Sequence, residues 1–274
     1  LVAAAVVWVI VFGAQVVKAV TAREKLLAEL RHPVNGSLAA LGPISLLVLA
    51  ALAAAHYHDL AQALFWIGAA WQLAHGVWTV GRWLGGPVDP KLLTPAMYLP
   101  PAVGNLVAAA AAGVAGRTDA GWLFFGAGVV SWLVLAAVLL VRNLSEGELP
   151  PALRPLLGLE LAPPAVALAA WQALAGGQAE PTSRALLGFA LFVALVLVSV
   201  AGRFRDVPFT PAYWSFTFPV AALAGATLRM SSSAPSSIAA ALALPLFVAA
   251  NAVIAAVAYK TLVALSRGRL LPPA

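Results

Sequence analysis

The sequence predicts an all-α integral membrane protein built of helical hairpins, with a single transmembrane domain over residues 1–274. Three observations lead there: a composition that cannot cover a water-facing surface, apolar runs of membrane-spanning length, and prolines concentrated in alternate runs. Of the 274 residues, 62% are hydrophobic and 9% charged, whereas a soluble domain carries about a quarter charged residues. A bilayer is the simplest solvent that fits. The net charge of +6 does not point to nucleic acid, because the basic residues stand singly at the ends of apolar runs rather than in a stripe. The chain has no cysteine, which excludes disulfides, thiolate metal sites and cysteine nucleophiles.

A spanning helix needs roughly 20 mostly apolar residues. The first run, Val2–Val20, leads into a basic link with Arg23 and Lys25. The second, Ser37–Ala55, follows His32-Pro33-Val34-Asn35-Gly36 and stops before His56 and His58. Ala61–Val80 comes third and ends at Arg82 and the turn Gly85-Gly86-Pro87. The fourth, Pro95–Ala115, stops before Arg117, and the fifth, Gly121–Val141, stops at Arg142. Leu153–Leu174, the sixth, ends at Gly176-Gly177. The seventh, Ala185–Ala201, precedes Arg203 and Arg205. Pro211–Leu228 is eighth and ends at Arg229 and Ser231-Ser232-Ser233-Ala234-Pro235, and the ninth, Ile238–Leu265, stops before Arg267 and Arg269. The links are too short for an extramembrane domain, and nothing alternates as barrel strands do.

Of the 16 Lys and Arg, only Arg117, Arg184 and Arg229 fall in the links after the second, fourth, sixth and eighth runs. The positive-inside rule therefore makes the other links and the C-terminal tail cytoplasmic. Leu1 then starts on the outer side, already within an apolar run. The expectation is a chain truncated at its N-terminus, with nine spans visible of ten, rather than one opening on a signal peptide.

Prolines mark a repeat. The second, fourth, sixth and eighth runs hold Pro43, Pro100-Pro101, Pro163-Pro164 and Pro219; the first, third, fifth and seventh hold none. Each proline removes a backbone donor and pushes on the carbonyl four residues back, kinking the helix. Broken helices survive in a membrane where they face protein or a water-filled cavity. The kinked helix of each hairpin should lie inside and the straight one outside. The plainer reading is the general enrichment of proline in membrane helices, and Pro245 in the last run departs from the alternation.

Each kinked run opens on a distinctive stretch: Arg31-His32-Pro33-Val34-Asn35-Gly36-Ser37, Tyr98-Leu99-Pro100-Pro101-Ala102-Val103-Gly104-Asn105, Gly158-Leu159-Glu160-Leu161-Ala162-Pro163-Pro164 and Tyr213-Trp214-Ser215-Phe216-Thr217-Phe218-Pro219. In order and spacing the set resembles the tellurite-resistance/dicarboxylate transporter family, which includes bacterial TehA proteins and the plant slow-type guard-cell anion channels. Trp122-Leu123-Phe124-Phe125-Gly126-Ala127-Gly128 is similar to the bacterial branch. The resemblance implies five hairpins around a pore, a homotrimer with one pore per protomer, a bacterial inner (plasma) membrane location, small anions as substrate and no cofactor. It implies an anion channel or exporter; the family also holds carriers for dicarboxylates, sulfite or tellurium oxyanions, some of them open to proton coupling. It also implies a gate formed by a phenylalanine, which the motif places on Phe218.

An aromatic ring in a narrow apolar conduit excludes water and so blocks an ion; the plainer reading of Phe218 is a core or lipid-facing aromatic. Phe216 is the nearest rival, but two positions on a helix are about 200° apart, so both cannot face one pore. Glu160 is the carboxylate well inside a span. An ionised acid at the bilayer centre costs on the order of 3 kcal/mol, so it should face protein or water. It is protonated, turned from the pore, or a proton-coupling group; a hydrogen-bonded structural acid is the plainer reading. Asn105 and Thr217 are polar groups in kinked runs that suit a pore lining or interhelical hydrogen bonds. No spacing of His, Asp and Glu suggests a metal site, and no nucleophile elbow or phosphate loop appears, so no enzyme is expected.

Overall fold

The computed structural model describes residues 2–176, 181–234 and 237–268, which are helices and connecting turns with no strand among them. Gly177, Pro235 and Arg269, used above as turn and charge markers, lie outside the described residues. The chain groups into two compact units, Leu1–Arg142 and Asn143–Ala274.

The first unit opens with α1 (Val2–Thr21) and the polar helix α2 (Arg23–Arg31). The link that carries α2 reads only as basic from its charge, yet Glu, Lys, Leu and Ala are all strong helix formers. Lys18 meets Glu29 at 2.5 Å and ties α2 back to α1. His32 then turns extended, at φ −71° and ψ 133°, because the following proline disfavours a helical conformation before it. The second span is two pieces, α3 (Pro33–Leu38) and α4 (Leu41–Ala53). The straight α5 (His58–Leu84) has 27 residues, about 40 Å of helix. The fourth span is a 3-10 turn at Pro95–Tyr98, a π turn at Leu99–Val103, and α6 (Gly104–Val114). α4 packs against α5 and α6, and α7 (Thr118–Ser145) follows. Arg142, which the sequence marks only as a link cation, is buried with its Nε donating to the Pro90 carbonyl at 3.2 Å.

The second unit runs from a 3-10 segment at Arg154–Leu161 into α8 (Ala162–Leu174), then α9 (Pro181–Ser199). A second 3-10 segment, Pro211–Phe216, leads into α10 (Thr217–Ser233), and α11 (Ile238–Ser266) closes the unit. Leu161, Leu168, Leu187, Leu223 and Met230 bring α8, α9 and α10 into one apolar core. Pro245 lies exposed inside α11 without interrupting it, so the four interrupted spans remain those the sequence marks.

All nine expected spans fall on helices. Among the described residues, seven stretches are long and apolar enough to cross a bilayer; α5 and the Pro211–Ser233 stretch are more polar, with Gln72 and His75 in one and Arg229 in the other. The inside and outside positions follow expectation for the fourth to seventh spans, whereas no residue of Pro211–Phe216, which opens the eighth, is buried. The broken spans at Pro95–Val114 and Arg154–Leu174 are 83% and 72% buried, whereas α7 and α9 are 22% and 17% buried. A helix that exposes most of an apolar surface is at rest only in lipid. The protein is an all-α, multi-pass membrane protein.

Candidate functional site

The four broken spans share one device. A proline has no N–H to give the carbonyl four residues back. For Pro43 that carbonyl is Ala39, and the N–H of Gly42 takes it at 3.1 Å. For Pro100 it is Ala96, taken by the N–H of Leu99. For Pro163 it is Leu159, taken by the N–H of Ala162. In each case the residue before the proline bonds three back instead of four, so the chain tightens into a 3-10 step and the carbonyl stays satisfied without water. Before Pro219 a similar step joins the N–H of Thr217 to the carbonyl of Trp214. Pro43, Pro100, Pro101, Pro163, Pro164 and Pro219 are all buried.

Side chains hold further carbonyls of the broken stretches. Gln72 Nε2 donates to Pro100 at 2.5 Å, Asn105 Nδ2 to Pro101 at 2.7 Å, and Ser215 Oγ to Pro155 at 2.5 Å. His75 Nε2 lies 3.0 Å from the Gly36 carbonyl at the start of the second span. Gln72 and His75 were not among the expected site residues. With Thr79 they form a polar stripe at spacings of three and four on an otherwise apolar helix, which is the signal that could have found them. Gly104 makes room for Gln72, whose amide occupies the place of a Cβ there.

The run from Tyr213 to Phe218 is fastened almost residue by residue within the second unit. Tyr213 donates its hydroxyl to the Val207 carbonyl at 3.2 Å, Trp214 Nε1 donates to Thr261 Oγ1 at 3.0 Å, and Ser215 holds Pro155. The Phe216 ring meets Phe204 edge-on at 5.4 Å and lies over Gly158. Phe218, the second residue of α10, is half-buried, and among the described residues no aromatic ring is in contact with it. The two phenylalanines thus have different surroundings, as their helical separation requires.

Asn105 and Thr217 are each 9% exposed. Both bond within their own segments, Asn105 to Pro101 and Thr217 Oγ1 to Trp214 at 2.8 Å, rather than across helices. Asn105 Oδ1 and both amide atoms of Gln172 are buried without a partner. Glu160 is half-buried in the 3-10 segment that leads to Pro163 and is engaged in a hydrogen bond or electrostatic interaction. At one end of the unit Glu148 joins Arg154 at 3.1 Å and Arg203 at 3.2 Å. His56 and His58 are exposed.

A family model described as voltage-dependent anion channel matches residues 1–262. The chain is 30% identical over 202 residues to the tellurite resistance protein TehA homolog of Haemophilus influenzae, covering 73% of this chain and 61% of that protein. It is 30% identical over 184 residues to the guard cell S-type anion channel SLAC1 of Arabidopsis thaliana, covering 66% of this chain and 33% of the channel. An uncharacterized transporter of Methanocaldococcus jannaschii is 25% identical over 234 residues, covering 73% of this chain and 64% of the transporter. The chain therefore spans less than two thirds of the length of each of these relatives.

Proposed function

This chain belongs to the voltage-dependent anion channel family, and we propose that it passes small anions across a membrane along its broken helices, with the Phe218 ring closing the path at rest. The observation that carries the reading is the contrast inside one turn of chain. Tyr213, Trp214, Ser215 and Phe216 are tied to other segments, while the Phe218 ring has no aromatic neighbour among the described residues and directly precedes Pro219. A half-buried ring at a joint where the helix is already interrupted suits a hydrophobic plug that opens by moving aside. Family membership supports the anion, and the names of the relatives include anion channels and a tellurite resistance protein. We extend the reading to a homotrimer in a bacterial plasma membrane. A carrier for dicarboxylate, sulfite or tellurite-type oxyanions is the second reading. Glu160, a carboxylate in a broken span, favours it, because such a group can couple flux to protons.

The test is anion flux into liposomes holding equal amounts of wild type and Phe218→Ala, with chloride, nitrate, sulfite and malate in turn. Removing the ring while keeping Pro219 should raise flux of the permeant anion about tenfold or more, since a dewetted barrier of a few kcal/mol is lost. Phe216→Ala should instead lower folded yield, because its ring packs on Gly158 and Phe204. Flux through Phe218→Ala no greater than wild type would refute the plug.

A further inference from the structure

We propose that the first unit carries a phosphate-binding pocket that receives the headgroup of an anionic phospholipid. The cavity has a volume of about 530 Å3 and lies where the end of α2 and the start of α3 face the end of α5 and the turn after it. Its polar lining comes from Arg31, His32, Thr79 and Arg82, with the backbone of Gly85 and Gly86 on one side.

Charge is the first argument. Among the described residues no carboxylate lines the cavity, and neither Arg31 nor Arg82 has an ion-pair partner. The acids closest in sequence are occupied: Glu29 pairs with Lys18, and Asp89 accepts the backbone N–H of Lys91. Two uncompensated guanidinium groups on one cavity suit a phosphate, which Arg can bind through paired N–H donors.

Pre-organisation is the second. Arg82 donates to the Leu30 carbonyl at 3.2 Å and to the Arg31 carbonyl at 2.8 Å, and its guanidinium lies 5.1 Å from the centre of the Trp78 ring. Those carbonyls fix the group without neutralising it, and they use two of its five N–H donors. His32 Nδ1 accepts from the N–H of Val34 at 3.3 Å and of Asn35 at 3.4 Å. That leaves Nε2 to carry the ring proton and donate.

The apolar flank selects lipid over a soluble phosphate. On the same end of α5, Trp78, one turn before Arg82, is 40% exposed. A tryptophan stacked with an arginine at the end of a spanning helix is the chemistry of the headgroup level of a bilayer. Basic pockets between helices at that level bind anionic headgroups. A free phosphate would satisfy the arginines but leave the Trp78 ring bare; a phospholipid covers both.

Thermal unfolding of the purified chain in neutral detergent, followed by tryptophan fluorescence, tests this with three probes: dioleoyl phosphatidylglycerol, dioleoyl phosphatidylcholine and inorganic phosphate. Phosphatidylglycerol should raise the midpoint by about 5–10 °C at a hundredfold excess over its Kd; the other two, at equal phosphate concentration, should not. The doubly substituted Arg31→Gln/Arg82→Gln protein should lose the rise. An equal shift with phosphatidylcholine, or an undiminished shift in the doubly substituted protein, overturns the proposal. A shift with inorganic phosphate equal to that with phosphatidylglycerol overturns the lipid as ligand. Native mass spectrometry of the wild type needs no substitution: phosphatidylglycerol should stay bound at collision energies that strip phosphatidylcholine, and equal retention overturns the site.

Discussion

Replacing Gly158 with Ala places a methyl group where the Phe216 ring lies. An ideal Cβ at residue 158 would stand 2.8 Å from Cγ of Phe216, 2.9 Å from Cδ1 and 3.0 Å from Cδ2, inside the ordinary carbon–carbon separation of about 3.5–4.0 Å. Flipping the ring does not help, because Cγ stays where it is. Two rings limit its retreat: Phe204 meets it edge-on at 5.4 Å and Tyr213 lies 28° from parallel at 6.3 Å. The 3-10 segment Pro211–Phe216 is also tied to the segment Arg154–Leu161 through Ser215 and Pro155. Overpacking of this kind costs about 1–3 kcal/mol. Phe216 is half-buried, which places the cost in the lower half, about 1–2 kcal/mol. At about 2–4 °C per kcal/mol for a chain of this size, Gly158→Ala should melt about 2–8 °C below wild type in detergent. Phe216→Leu narrows the side chain and should recover part of that loss, with a coupling of about 1 kcal/mol in the double-mutant cycle. If Gly158→Ala melts with wild type, or Phe216→Leu leaves its cost unchanged, the packing of these two segments has been misread.

Gly36→Ala is expected to be more severe, because the new Cβ would meet the Leu30 carbonyl, a backbone atom that also holds Arg82; a loss at or above the top of the same 1–3 kcal/mol range should show as reduced folded yield on size-exclusion chromatography. Glu160→Gln should flatten the pH dependence of anion flux if that carboxyl couples transport to protons, and an unchanged profile assigns it a structural role. The chain has no cysteine, so Ser266→Cys gives a single-site probe at the end of α11; it should resist an impermeant thiol reagent in intact cells, and labelling from outside would refute the orientation drawn from the basic links.

Helix positions and their inward or outward placement were legible in the sequence because the bilayer imposes them. About 20 apolar residues are needed to cross, charge collects at the ends, and a proline inside a span demands protein around it. The runs from Val2–Val20 to Ile238–Leu265 therefore coincide with helices, and the proline-bearing runs at Pro95–Val114 and Arg154–Leu174 are the buried ones. What needed the tertiary structure was the choice of partners. Gln72 and Pro100 are 28 residues apart, His75 and Gly36 are 39 apart, and Ser215 and Pro155 are 60 apart. No local spacing encodes such pairs. They exist because packed hairpins bring one helix's side chains to another's interrupted backbone, where a buried carbonyl without water must find a donor. The distinction between Phe216 and Phe218 is of both kinds. That they do not share a face follows from helical geometry, but only packing put Gly158, Phe204 and Tyr213 around the first ring and, among the described residues, no aromatic partner against the second.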